Sequence, residues 1–126
     1  MKNAGTILMY GCSGEQFSKL RQIFAMLRLR MRVVEPDRYH IPLEELAKGK
    51  GEPGEPAEPL PEPLLVFCGL PQALLNQVLE VIRVAKLPPI PLKAVLTDTN
   101  QSWDTHQLYE ELLKERDSFA EQEKKQ

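Results

Sequence analysis

Leu64-Leu65-Val66-Phe67-Cys68-Gly69 is an unbroken apolar run closed by a glycine. A run this short, with no polar alternation, fits a strand buried on both faces. Downstream, Pro71 suits the first position of a helix, where its missing N–H costs nothing. Leu74, Leu75, Val78, Leu79, Val81, Ile82 and Ala85 then recur at helical spacing, a stripe wide enough that this helix must be heavily covered. Pro88, Pro89 and Pro91 stop it. Leu92-Lys93-Ala94-Val95-Leu96-Thr97 reads as the next strand. A turn with Asp98, Asn100 and Ser102 follows. Asp104 then caps a last helix, over about residues 104–120, with Gln107 as its capping-box partner.

The same pattern stands upstream. Thr6-Ile7-Leu8-Met9-Tyr10 is a second short apolar run, ended by Gly11. Ser13 offers a helix cap, with Gln16 three residues on. Phe17, Leu20, Ile23, Phe24 and Leu27 follow at helical spacing, and Met31–Glu35 reads as a strand that Pro36 ends. Pro42 can open a short helix whose Glu44 and Glu45 face the positive end of its dipole, with Gly49 ending it. Sliding Gly11 onto Gly69 lays Leu8 on Val66, Phe17 on Leu75, Leu20 on Val78 and Phe24 on Ile82. A short insertion at Pro88–Pro91 lays Val33-Val34 on Ala94-Val95. The chain of 126 residues therefore reads as one domain of two β-α-β halves, residues 6–35 and 64–97. Between them, residues 50–63 repeat proline and glutamate. Lost donors and self-repelling charge leave that linker extended or mobile.

Two arrangements accommodate the halves. If the segment near Pro42 crosses over, an α/β fold results: a four-stranded parallel sheet in the order 2-1-3-4, with helices on both faces. If residues 36–63 only loop back, the alternative is the ferredoxin-like split β-α-β arrangement of the α+β class. The long second connection favours the parallel sheet, because a hairpin needs far fewer residues.

Composition excludes several classes of function. Eighteen acidic against sixteen basic residues give a net charge of −2, so nothing global points to nucleic acid or an anionic membrane surface. Met1–Gly5 leads into an apolar run far short of the ~20 residues a spanning helix needs. Cys12 and Cys68 lack metal-type spacing and any C-x-x-C, so the chain reads as cytoplasmic with free thiols. No cofactor motif is present, and His40 and His106 stand alone, outside any metal-ligand pattern.

A parallel sheet places ligands outside the carboxyl ends of its strands. That crevice would be lined by Gly11-Cys12-Ser13-Gly14, by Cys68-Gly69, and by Thr97-Asp98-Thr99-Asn100. Gly11, Cys12, Ser13, Gly69, Thr97 and Asn100 are thus candidates for holding a phosphate or nucleotide. Gln16 stands where a dinucleotide fingerprint needs its third glycine, and no Gly-Lys-Ser/Thr is present. The bland reading is a strand–helix turn built of flexible residues. Cys12 and Cys68, at the ends of adjacent central strands, are candidates for a thiol switch if a cation or helix start lowers a pKa. The bland reading is that both pack in the core. Ser13 lacks the G-x-S-x-G context of a hydrolase. A phosphorylated receiver domain is excluded, since the places of its acidic residues hold Gly11-Cys12 and Cys68-Gly69. Arg21, Arg28, Arg30, Arg32 and Arg38 form a basic segment, read as a solvated face or as a surface for an acidic partner. Asn100 is read as holding its turn through its side chain, and Trp103 as packing over a sheet edge. An exposed Trp103 would instead mark a contact surface.

Leu65-Val66-Phe67 with Gly69, the Pro-Leu-Lys-Ala-Val-Leu-Thr run of 91–97, Asn100, Trp103 and the Glu111-Leu112…Glu115 helix resemble a bacterial family catalogued only as a domain of unknown function. The resemblance covers residues 64–116 and implies a small stand-alone protein. It brings no activity or cofactor, and singles out Lys93, Thr97, Asn100 and Trp103. Without a catalytic constellation, the leading expectation is a non-catalytic binding or regulatory domain acting through another protein or through self-association. Function is expected to lie in the second half.

Overall fold

The computed structural model describes residues 5–12, 14–84, 90 and 92–124. Ser13, Ala85, Pro88, Pro89 and Pro91, which carry expectations above, lie outside the described residues. In chain order the elements are β1 (Thr6–Tyr10), a 3-10 turn (Glu15–Phe17), α1 (Ser18–Met26), β2 (Arg30–Val33), a second 3-10 turn (Pro36–Arg38) and α2 (Leu43–Lys48). Then come β3 (Leu64–Cys68), α3 (Gln72–Val84), β4 (Leu92–Val95) and α4 (Thr105–Lys124).

Both central runs behave as their composition dictates. Every residue of β3 and Ile7–Tyr10 of β1 is buried, with alternate side chains entering opposite cores. Ile7, Met9, Leu65 and Phe67 meet Phe17, Leu20 and Phe24 of the first helical segment and Leu75 and Val78 of α3. Leu8, Tyr10, Leu64 and Val66 meet Leu43 and Leu46 of α2 and Leu108 of α4 on the other face. Each fully buried Leu or Phe stabilises by about 1.5–3 kcal/mol. The expected short helix forms after Pro42, with Glu44 and Glu45 in its first turn.

The strand order is β2-β1-β3-β4, as expected, and the class is α/β. The sheet is mixed, not wholly parallel. β1 pairs parallel with β2, and β3 with β4, but β1 and β3 run antiparallel. The linker explains this. It is extended, yet folded back on the second 3-10 turn: Gly54 N–H donates to Asp37 O (2.7 Å), Ala57 N–H to Pro36 O (3.1 Å) and Leu60 N–H to Tyr39 Oη (3.3 Å). The chain thus returns to the end of the sheet where β2 stopped, and β3 can only run back.

The result is a pseudo-two-fold around the β1–β3 ladder. Leu8 pairs with Val66, the two residues that the internal repeat superimposes. Gly11 and Gly69 both adopt left-handed backbone, with φ of 71° and 74°. The ladders correct the repeat by one residue in its later part: Arg32 corresponds to Ala94 and Val33 to Val95. Counted onward from there, Leu46 falls on Leu108, so α2 and α4 are also equivalent. The two helix starts are tied reciprocally. Leu43 and Glu44 N–H donate to the carbonyls of Trp103 and Gln101 (both 2.9 Å), and Thr105 N–H donates to Tyr39 O (3.1 Å). Tyr10 Oη and Thr105 Oγ1 lock this region at 2.9 Å, and burial raises the Tyr10 phenol above its usual range.

Candidate functional site

The antiparallel centre scatters the expected crevice. Thr6 lies opposite Cys68, whereas Tyr10 lies opposite Leu64. Gly11 and Cys12 therefore leave one end of the sheet, and Cys68 and Gly69 the other. Six residues at about 3.3 Å each put Cys12 about 20 Å along the strand from Thr6, the neighbour of Cys68. The thiols also enter opposite cores. This overturns the thiol switch, because a disulfide needs Cα atoms within about 7 Å. Burial pushes the Cys12 thiol up to about 11, against the opposing charge of Arg21, and the Cys68 thiol up to about 12. Arg21 is the cation that sequence inspection missed beside Cys12. Its Nη1 donates to Cys12 O (2.8 Å) and Gly14 O (3.0 Å), one helix turn brought back over the loop. Gly69 and Cys68 instead line a separate shallow cleft with Thr6 and Lys48. The phosphate or nucleotide site at joined strand ends loses its basis in the same way.

The four signature positions do come together. Asn100, 9 % exposed, holds the turn after β4 as its sequence suggests. Its Oδ1 accepts Thr97 N–H (2.8 Å), its Nδ2 donates to Val95 O (3.0 Å), and its own N–H donates to Thr97 Oγ1 (3.2 Å). Asn100 O accepts Trp103 N–H (2.9 Å), which seats the half-buried indole against the α2/α4 core beside β4. Lys93 Nζ donates to Ile90 O (2.7 Å). Lys93, Thr97, Asn100 and Trp103 all line a groove of about 440 Å³ that wraps the outer edge of β4. Leu79 of α3 walls one side, and Leu108, Glu111, Leu112 and Glu115 of α4 wall the other. Leu79 was legible only as part of a helical stripe, and Glu111 and Glu115 only as part of the helix that carries the resemblance.

The first half holds the counterpart of this groove. A cleft of about 220 Å³ at the edge of β2 is lined by Arg32, Val33, Val34, Arg38, Leu46, Gly49 and Lys50. By the corrected repeat, Val33, Arg38, Leu46, Gly49 and Lys50 fall on Val95, Asn100, Leu108, Glu111 and Leu112. Arg32 falls on Ala94. The Arg32 guanidinium reaches across the cleft and its Nε donates to Ala47 O (3.1 Å), near the end of α2. Gly49 makes room for it: a Cβ there would lie 2.5 Å from Nη1. At β4 the small Ala94 leaves the same place open. One groove is the wider and mostly apolar, with two carboxylates and Lys93; the other is narrower and cationic.

The open groove also exposes backbone. Leu96 N–H donates inward to Phe67 O (2.9 Å). In a parallel ladder such residues alternate, so Lys93 and Val95 turn their N–H groups outward. Among the described residues lining the groove there is no cysteine, histidine, serine or aspartate. The lysine is held by a carbonyl, and Glu111 Oε1 lies 3.3 Å from Lys114 Nζ. What the arrangement offers is shape, apolar surface and the outward N–H groups of Lys93 and Val95, beside a Val95 carbonyl held by Asn100.

Among the described residues no helix is long and apolar enough to cross a membrane. Residues 63–119 match a family model described as a domain of unknown function (DUF3783). No curated protein and no solved structure matches the chain. Every residue lining the β4 groove falls within the matched segment, and every residue lining the β2 cleft falls outside it. The part of the chain that carries the open groove, residues 63–119, is thus similar to a family described as a domain of unknown function, DUF3783.

Proposed function

We propose that this chain is a non-catalytic, cytoplasmic protein-binding domain, and that its docking surface is the groove along β4. The observation that carries the reading is the contrast between Ala94 and Arg32. Two equivalent edges are built by the same repeat, and the one within the matched segment carries the wider, more apolar groove. An extended segment of a partner can add to β4 as a fifth strand, using the outward groups of Lys93 and Val95. Trp103 and Leu112 then offer apolar contact to alternate side chains of that segment, and an aromatic anchor of this kind is typical of binding hot spots. Two free, buried thiols fit a reducing compartment.

A displayed library of random peptides, panned on the protein and counter-screened on Ala94→Arg, tests this. The expected result is enriched sequences of alternating apolar character that lose binding to the variant. Enriched peptides that bind Ala94→Arg equally well, or no enrichment at all, would remove the groove from its role.

A further inference from the structure

We infer that the β4 groove receives the β2 edge of a second copy of this chain, so that sheets continue head to tail. The inference rests on the reading of the groove as a docking surface and names its occupant.

Strand direction permits the contact. β2 and β4 run in opposite directions, because the two parallel pairs meet antiparallel. A copy shifted sideways, without turning over, therefore brings its β2 antiparallel to β4. The helical layers stay in register: α2 of the incoming copy comes beside α4, and its α1 beside α3. Backbone groups match as well. Arg30 and Val34 N–H donate inward to Gly5 O and Met9 O, both at 2.9 Å, which leaves the N–H groups of Met31 and Val33 facing outward. The outward carbonyls of Met31 and Val33 can accept from the N–H groups of Lys93 and Val95, and the Lys93 carbonyl can accept in return, while the Val95 carbonyl is held by Asn100 Nδ2.

Side chains match on both faces. On the face of α2 and α4, β2 carries Arg30 and Arg32, with Arg38 and Lys50 near by. The β4 groove presents Glu111 and Glu115 there, one turn apart on α4. Lys114 offsets one of the two charges as an exposed partner of Glu111, at 3.3 Å, so the pair keeps an excess of negative charge. On the other face, Met31 and Val33 come against Leu79 and Val95. Val33 and Val95, equivalent in the repeat, are each 43 % exposed, unusual for valines within strands.

The charges also choose among the ways two copies could meet. A two-fold contact between β4 edges sets Glu111 and Glu115 against their own copies. One between β2 edges sets arginine against arginine. Only the head-to-tail contact joins opposite charges. Such a contact does not close, so each end of the assembly keeps one free edge.

Sedimentation velocity on the full chain, over a dilution series, tests this with two variants. Val33→Pro and Val95→Pro each remove one outward N–H without touching the ladder inside the sheet. The wild type is expected to form a series of oligomers that grows with concentration and shrinks as salt rises. Each variant alone is expected to stay monomeric, and an equal mixture to form a dimer and stop there. Charge exchange provides variants that leave the strands intact. Glu111→Lys with Glu115→Lys, or Arg38→Glu with Lys50→Glu, is expected to abolish association, and all four substitutions in one chain to restore it. A monomeric wild type at every concentration, self-association of Val33→Pro through β4 alone, or a mixture that stays monomeric would each overturn the inference. If the wild type is monomeric while displayed peptides still bind it and not Ala94→Arg, the groove remains a docking surface and only this occupant is removed.

Discussion

Arg32 and Ala94 stand at opposite ends of one row across the sheet, which reads Arg32, Leu8, Val66, Ala94. The pseudo-two-fold passes between the middle pair, so the outer two occupy equivalent places. One narrows its groove with a guanidinium, and the other leaves it wider. This difference, more than any single reactive group, is what distinguishes the two halves chemically.

Exchanging these residues tests their roles. Ala94→Arg should fill the β4 groove beside Glu111 and Glu115 while costing no more than about 1–2 kcal/mol in overpacking. Arg32→Ala should lower stability by about 1–2 kcal/mol, because Ala47 O loses its donor. Urea unfolding of both variants, set beside peptide binding, checks this. Ala94→Arg is expected to lose binding and keep its midpoint better than Arg32→Ala does.

Asn100 holds the groove's turn through three hydrogen bonds. Asn100→Ala leaves Thr97 N–H and Val95 O without these partners and should cost about 2–3 kcal/mol. Thr97→Val removes only the acceptor for Asn100 N–H and should cost about 1 kcal/mol. Denaturant midpoints order the two. A larger effect for Thr97→Val would contradict the assigned geometry.

Tyr10 and Thr105 join the two halves through one buried hydrogen bond. Tyr10→Phe or Thr105→Val alone strands a buried hydroxyl, at a cost of about 1–3 kcal/mol. The double variant should be less destabilised than the two single effects added together, giving a measurable coupling energy. Additive effects would place the hydroxyls apart.

The thiols should be inert in the native protein. Cys12 and Cys68 are buried, and both titrate well above their usual range. A thiol reagent at neutral pH should label neither until denaturant is added, and oxidation should give no internal disulfide. The sign of the pH effect follows from the raised values. The folded state keeps these protons after the unfolded chain has lost them, so their contribution is complete below about pH 9 and declines as pH rises through about 11–12. Tyr10 acts in the same direction. Unfolding free energy measured from pH 8 upward should therefore fall. A rise would contradict the burial of these groups.

Much of the fold was legible because apolar runs and caps act locally. Leu64–Cys68 forms a strand with the boundaries read from its composition, and Asp104 caps α4 by accepting Gln107 N–H (2.9 Å). The repeat was legible through Leu8 and Val66 and through Gly11 and Gly69. Strand direction was not, because two strands buried on both faces show the same pattern whichever way they run. Contacts of Gly54, Ala57 and Leu60 with the turn at Pro36–Tyr39 decide it, and no periodicity in the linker announces them. The site was half legible. Lys93, Thr97, Asn100 and Trp103 were singled out together, whereas their partners Leu79, Glu111 and Glu115 come from helices that sequence alone could not bring beside β4. The match of Arg32 with Ala94 depends on a one-residue register that only the ladders show.

Amide hydrogen exchange at the strand edges tests the central claim most directly. The chain, kept monomeric by Arg38→Glu with Lys50→Glu, is compared free and with a peptide selected on it, reading the outward amides of Lys93 and Val95 against those of Met31 and Val33. The account predicts that Lys93 and Val95 gain protection while Met31 and Val33 stay as they were. Protection at Met31 and Val33 instead, or no change at either edge with the peptide bound, would contradict it.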